Sequence, residues 1–150
     1  MRVVVQRVRS ADVRVGSEIV GKIGSGLLVY SGIEKGDSEK EIEFIAEKIL
    51  NLRIFPDKNG KMDSSVLDIS GGSILSISQF TLASYIKKGR RPDFSNAMDP
   101  EKAEELYNKF NKILIGKIRV ETGVFGEMMD ITSVNDGPVT FILEKKFSTP

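Results

Sequence analysis

Ile74-Leu75-Ser76-Ile77-Ser78-Gln79-Phe80-Thr81-Leu82 is the stretch around which this chain is organised. The apolar run Ile74–Ile77 reads as a buried strand. Serine, glutamine and threonine then arrive together at its end. A junction between rigid scaffold and loop is where folds place working groups, because the scaffold fixes their position. Composition leaves a second reading open: a core strand whose hydroxyls bond their own backbone.

The chain has 150 residues, which suits one domain with a real core. At 40% hydrophobic and 29% charged it has ordinary globular composition. No apolar run approaches the roughly 20 residues needed to span a bilayer. Met1-Arg2-Val3-Val4-Val5-Gln6-Arg7 is broken by charge too early for a signal-peptide core, so a cytoplasmic location and no membrane partner are expected. With no cysteine there is no disulfide, zinc finger or thiol nucleophile. With no histidine, Ser-His-Asp and Cys-His constellations and histidine-bound zinc are excluded. Neither a metal nor a cofactor is expected. Chemistry is left to hydroxyls, carboxylates, lysines, backbone groups or the substrate itself. A net charge of +1 does not announce a nucleic-acid binder.

Working outward toward the N-terminus, Val3, Val5, Val8, Val13 and Val15 alternate with polar residues, the pattern of half-buried strands. Ser10-Ala11-Asp12 reads as a turn between two of them, and Gly16-Ser17-Glu18 as another. Ile19–Ile23 and the more apolar Leu27–Ile33 continue an expected all-β meander. The glycines at 16, 21, 24, 26 and 32 form no dinucleotide fingerprint, because no βαβ unit surrounds them. Arg7 reads as solvent-facing or salt-bridged, with a ligand contact as the other option. Ser38 and Glu41 have capping-box spacing, and Ile42, Ile45, Ala46 and Ile49 then follow one helical face. Leu52–Phe55 reads as a strand stopped by Pro56, Asp57–Lys61 as a hairpin turn, and Val66–Ile69 as a further strand.

Beyond the central stretch, four of the five residues Lys87–Arg91 are basic. That is a solvated loop, or a loop that contacts phosphates. Asp99 and Pro100 suit the N-cap and N1 of a second helix, whose apolar face runs from Ala103 to Leu114, with Gly116 as its stop. Thr122–Met129 has no single period and reads either as an adaptable apolar wall or as ordinary packing. Ile131–Val134 and Val139–Glu144 read as two strands joined by Asn135-Asp136-Gly137-Pro138, a hairpin signal apart from its proline. A frayed tail is expected from Lys145.

Ser78-Gln79-Phe80-Thr81-Leu82 and Asn135-Asp136-Gly137-Pro138-Val139-Thr140 together resemble the D-aminoacyl-tRNA deacylases. Val5-Gln6-Arg7-Val8, Arg53-Ile54-Phe55 with Gly60-Lys61-Met62, Arg91-Pro92-x-Phe94-Ser95 and Thr122-Gly123-x-Phe125 are similar to that family too. The resemblance runs nearly end to end. It implies an α+β fold of β-barrel-like antiparallel and mixed sheets with two main helices alongside. It also implies a homodimer with the active site at the subunit interface, acting on the 3′-terminal aminoacyl-adenosine of tRNA and not on DNA. Ser78, Gln79, Phe80 and Thr81 would line the chemistry. A cis Gly137-Pro138 peptide would enter the partner's pocket, with Arg7 also at the substrate. Thr122–Met129, Phe125 and Met129 within it, would hold the terminal adenosine.

Some of the chemistry follows from residue types. Backbone carbonyls at Gly137 and Pro138 can accept from a substrate α-ammonium, sending a D side chain outward and an L side chain into the peptide wall. Glycine would pass too. Thr81 has no visible base, so the tRNA 2′-hydroxyl is expected to assist, with Phe80 and Thr81 N–H groups on the oxyanion and Gln79 orienting the ester. Lys87, Lys88, Arg90 and Arg91 are candidates for the tRNA acceptor end. Two other classes stay open: a non-catalytic RNA-binding module in which Phe80 or Phe125 stacks a base, and a purely structural β domain.

Overall fold

A computed structural model describes residues 1–86 and 89–147. The strands are β1 (Arg2–Val15), β2 (Glu18–Ile23), β3 (Gly26–Gly32), β4 (Phe55–Pro56), β5 (Met62–Ser64), β6 (Ser73–Ser78), β7 (Arg119–Thr122) and β8 (Asp130–Glu144). The helices are α1 (Glu39–Asn51) and α2 (Pro100–Ile115), and a 3-10 turn covers Phe80–Ala83. The main sheet runs β2-β1-β3-β6-β7, with β8 on the other side of β1. β3–β6 and β6–β7 are parallel, and the rest is antiparallel. The result is a barrel-like mixed sheet with two helices, an α+β fold.

β1 explains how one sheet serves two cores. Val3 and Val5 pack with α1, α2, Leu27 and Ile74. Val8, Ala11 and Val13 instead pack with Ile23, Leu28, Leu75 and Ile77. The inward phase therefore shifts after Val5 and again after Val8, and the pairing with β8 slips between Gln6 and Val8 and between Val8 and Ser10. Such bulges bend a strand and re-aim its side chains. β3 and β6, buried on both faces, are the near-continuous apolar runs that two-sided burial requires. Each aliphatic side chain buried there contributes about 2 kcal/mol.

Several expectations are corrected. Ser10-Ala11-Asp12 is strand, because all three residues pair with β8. The opening strands form no meander, since β2 and β3 both pair with β1. Pairing in the Leu52–Phe55 region begins only at Phe55, because the Leu52 N–H is used to cap α1. Val66–Ile69 is a turn: the Asp68 carboxylate accepts from both the N–H and the hydroxyl of Ser65, each at 2.7 Å. Asp99 stands at the N-cap of α2 without a side-chain bond, and Gly116 ends that helix in a right-handed conformation. Lys145 and Phe147 are tied down through N–H bonds to the Met1 carbonyl and the Glu41 carboxylate.

The largest correction concerns residues 131–144. They form one strand, because both halves pair with β1 and not with each other. Asn135 lies opposite Val8 and Thr140 opposite Gln6, so the segment between them bulges out of the ladder beside Arg7. Gly137 does not take the positive φ that a two-residue hairpin turn needs. The Gly137-Pro138 peptide bond is cis.

Candidate active site at the end of the central strand

β6 delivers the candidate residues. Ser78 is its last residue and pairs with Ser31 of β3. The Gln79 N–H donates to the Ser31 carbonyl at 2.8 Å, so the chain leaves the sheet at a fixed point. The 3-10 turn follows, with Leu82 N–H bonded to the Gln79 carbonyl. Among the described residues, the N–H groups of Phe80 and Thr81 have no hydrogen-bond acceptor. Two adjacent donors are thus unsatisfied, on residues that are both exposed. Gln79 Nε2 donates to Thr81 Oγ1 at 2.6 Å, which occupies that hydroxyl as an acceptor. No carboxylate or lysine bonds to Thr81 among the described residues.

Two residues that sequence reasoning did not single out hold this turn. A Cβ on Gly32 would stand 2.7 Å from Leu82 Cβ and 3.0 Å from the Gln79 carbonyl, so only glycine lets the turn sit on the end of β3. Arg2 donates to the Leu82 carbonyl at 2.9 Å while also pairing with Glu144 of β8. In the sequence Gly32 is one of five glycines that form no fingerprint, and nothing in the local pattern marks Arg2.

The Thr122–Met129 segment lies beside β6. The Gly123 N–H donates to the Ser76 carbonyl, extending the β6–β7 pairing by one step. Phe125 is half-buried, with its ring 5.9 Å from that of Tyr107. Met129 closes over Gly123, where an added Cβ would clash with the Met129 sulfur. Val124 and Met128 are exposed. The segment is thus part core and part surface, which accounts for its lack of a period.

Arg7 is 11% exposed and salt-bridged. Its Nε donates to the Asp136 carbonyl at 3.2 Å and lies 3.1 Å from the Asp136 carboxylate in an ion pair, and Nη1 donates to the Ile54 carbonyl. Asn135 Nδ2 reaches back to the Arg7 carbonyl at 3.1 Å. The bulge is pinned on both sides, and Gly137 and Pro138 remain exposed.

The structure places Thr122–Met129 beside β6 at Ser76 and Ile77, just before Ser78–Thr81, and holds Arg7 against Asp136, the residue before Gly137 and Pro138. It does not join the two groups within one protomer. Following the sheet from β8 through β1 and β3 to β6 crosses three strand spacings, about 14 Å, and the register differs by four residues, about 13 Å. Among the described residues no hydrogen bond links the groups.

The basic loop begins and ends at the site. Tyr85 and Asp93 exchange backbone bonds at 2.8 and 2.9 Å, closing its base. The Phe94 ring then packs 5.3 Å from that of Phe80. Arg90 and Arg91 are exposed. Lys87 and Lys88 lie outside the described residues. Among the described residues no cluster of three or more carboxylates could hold a metal. No described helix is long and apolar enough to cross a membrane.

The family described as D-Tyr-tRNA(Tyr) deacylase matches residues 4–144. The chain belongs to this family. Among curated D-aminoacyl-tRNA deacylases, the Brevibacillus brevis protein is 59% identical over 145 residues, spanning 96% of this chain and 99% of its own length. The Aquifex aeolicus deacylase is 52% identical over 147 residues, covering 97% and 99%. The solved structure titled c-Myc DNA Unwinding Element Binding Protein superposes with a TM-score of 0.92 at 45% identity, covering 98% of this chain and all of that one. A structure titled as a probable eukaryotic D-amino acid tRNA deacylase shares the fold, with a TM-score of 0.80 at 18% identity over 95% and 97%. In this deacylase-family chain the Ser78–Thr81 turn and the Gly137-Pro138 bulge thus occupy separate, individually braced positions on one sheet.

Proposed function

We propose that this protein is a carboxylic ester hydrolase that cleaves D-aminoacyl-tRNA, releasing the D-amino acid and free tRNA as a proofreading step of translation. The carrying observation is the pair of unpartnered N–H groups at Phe80 and Thr81, which can receive the oxyanion of an ester under attack. Family membership supplies the substrate class.

The reaction runs by positioning. Thr81 Oγ1 already accepts from Gln79 and has no base among the described residues, so water rather than this hydroxyl is the nucleophile. The 2′-hydroxyl of the terminal adenosine helps activate the attacking water. Gln79 orients the ester. Phe125 and Met129 hold the adenosine, and the arginines at the tip of the basic loop meet acceptor-end phosphates. As the tetrahedral intermediate collapses, the ester C–O bond breaks, the ribose oxygen takes a proton, and the acid leaves.

Chiral choice falls to Gly137 and Pro138. Their exposed backbone lies too far along the sheet to serve the Ser78–Thr81 turn of the same chain, so a second copy supplies it. The working unit is therefore a homodimer with the site at its interface. The exposed apolar side chains of Val134 and Ile142 on β8, the strand that carries the bulge, support a contact surface there. The wedge carbonyls bind the substrate ammonium, L side chains collide with the peptide, and D-residues and glycine are accepted. The protein acts in the cytoplasm, where tRNA is charged.

The deciding experiment follows release of labelled tyrosine from D-tyrosyl-tRNA and L-tyrosyl-tRNA. The expected result is hydrolysis of the D ester alone. Equal rates overturn the chiral reading, and binding without release of either supports an RNA-binding module instead.

A further inference from the structure

The Ser76 carbonyl is a junction of three elements. It belongs to β6, two residues before Ser78, and the residue is fully buried. It accepts from the Gly123 N–H at 3.2 Å and from the Tyr107 hydroxyl at 2.8 Å. A carbonyl oxygen has two lone pairs, and both are now used. Tyr107 comes from α2, is 3% exposed, and its ring packs on Phe125. The Ser76 hydroxyl lies 3.4 Å from the same phenol oxygen. Asn111, one helical turn further along α2, is buried with its Oδ1 unpartnered. Burying polar atoms is costly unless they are hydrogen-bonded, and a network whose bonds are made fixes one geometry.

We propose that Tyr107 is a positioning residue for the deacylation site. Its hydroxyl holds the strand that ends in the Phe80–Thr81 donors, and its ring holds Phe125. One side chain thereby sets the distance between the ester-cleaving turn and the adenosine wall. Loss of the hydroxyl leaves the ring packing intact and frees the Ser76 carbonyl to shift. Displacements well under 1 Å in such a site reduce turnover more than binding. The kinetic part of this inference rests on the deacylase reading.

The test compares Tyr107→Phe, Tyr107→Phe with Asn111→Leu, and Ile49→Val as a core control away from the site. The double variant removes the buried polar partners together, which relieves orphaned groups without restoring the clamp. Expected are a kcat on D-tyrosyl-tRNA lowered about tenfold in both Tyr107 variants, KM within about twofold, and an unchanged kcat in the control. The amide resonances of Phe80, Thr81 and Gly123 should shift in both Tyr107 variants and stay put in Ile49→Val. Wild-type kcat in Tyr107→Phe, or recovery of kcat in the double variant, overturns the inference. So do unmoved Phe80 and Thr81 amides, a readout that needs no activity. Wild-type protein that leaves D-tyrosyl-tRNA intact overturns the functional reading separately. If Tyr107→Phe does not fold, the double variant decides on the same criteria.

Discussion

Arg7 is ion-paired with the side chain of Asp136 and donates a hydrogen bond to the main-chain carbonyl of the same residue. That fork, with a second bond to the Ile54 carbonyl, locks the bulge carrying Gly137 against β1. Removing Arg7 takes the donors from the Asp136 and Ile54 carbonyls, while the Asp136 carboxylate keeps Arg9 at 3.6 Å. Arg7→Ala should therefore cost about 2 kcal/mol in thermal or urea unfolding, about 1 for each lost hydrogen bond. It should also lower kcat/KM on D-tyrosyl-tRNA on the order of 100-fold, because the bulge loses its fixed position. Arg7→Lys should rescue little, since a single ammonium cannot reproduce the fork. Single-turnover hydrolysis at wild-type rate in Arg7→Ala would remove the bulge from the site.

Thr81 gives a sharper test of mechanism. Its hydroxyl accepts from Gln79 and touches no base among the described residues. Thr81→Ala and Thr81→Val should keep kcat within about tenfold of wild type. A substrate whose tRNA ends in 2′-deoxyadenosine should react at least about 100-fold more slowly. Near-abolition in both Thr81 variants, with tRNA binding intact, would make Thr81 the nucleophile.

Gly32 should be as sensitive as any polar residue of the site. An alanine methyl there meets Leu82 and the Gln79 carbonyl at 2.7 and 3.0 Å. Backbone cannot yield as a flexible side chain does, so the turn must move. Gly32→Ala should lower kcat about 100-fold, with far-UV circular dichroism unchanged. A variant with wild-type kcat would show that the turn tolerates displacement.

These residues also mark what could be read in advance. Capping boxes, apolar periodicity and two-sided burial act over a few neighbouring residues, so α1, α2, β3 and β6 were legible from local pattern. The hairpin expected at Asp136-Gly137 failed because its two flanks share β1 as partner, a long-range fact that no dipeptide encodes. Val66–Ile69 failed because one carboxylate, Asp68, outweighs the β propensity of its neighbours by satisfying Ser65. Membership of the deacylase family was legible from the resemblance of the Ser78–Thr81 and Gly137-Pro138 segments, and the family match over residues 4–144 bears it out. Arg2, Gly32 and Tyr107 were not, because each acts through a partner at least 30 positions away in the chain.

The basic loop predicts a salt effect. Its base is closed by Tyr85 and Asp93 beside the Phe80–Phe94 pair, which puts Arg90 and Arg91 on an anchored excursion next to the site. If each meets one phosphate, Arg90→Ala with Arg91→Ala should reduce the slope of log affinity against log salt by about 1 to 2. Discrimination between D and L esters should not change. A slope equal to wild type returns the loop to solvent.

Acid stability should depend on Glu41. Its carboxyl is buried, which alone would raise its pKa, but the Ser38 hydroxyl, the Phe147 N–H and the Ser38 N–H all donate to it. Together they lower it from 4.5 to about 2. A carboxyl with a depressed folded-state pKa stabilises the fold above its unfolded value, and that contribution is lost as pH falls through the folded value. Wild-type protein should therefore lose this part of its stability progressively between about pH 4.5 and pH 2. Glu41→Gln cannot ionise, so it should be less stable by about 2 kcal/mol at pH 7. The gap should narrow toward pH 2, where the wild-type side chain is about half protonated in the folded protein. Melting curves of both proteins from pH 7 to pH 2 check this. A gap that stays constant across that range would mean that shape at the α1 N-terminus matters and the charge does not.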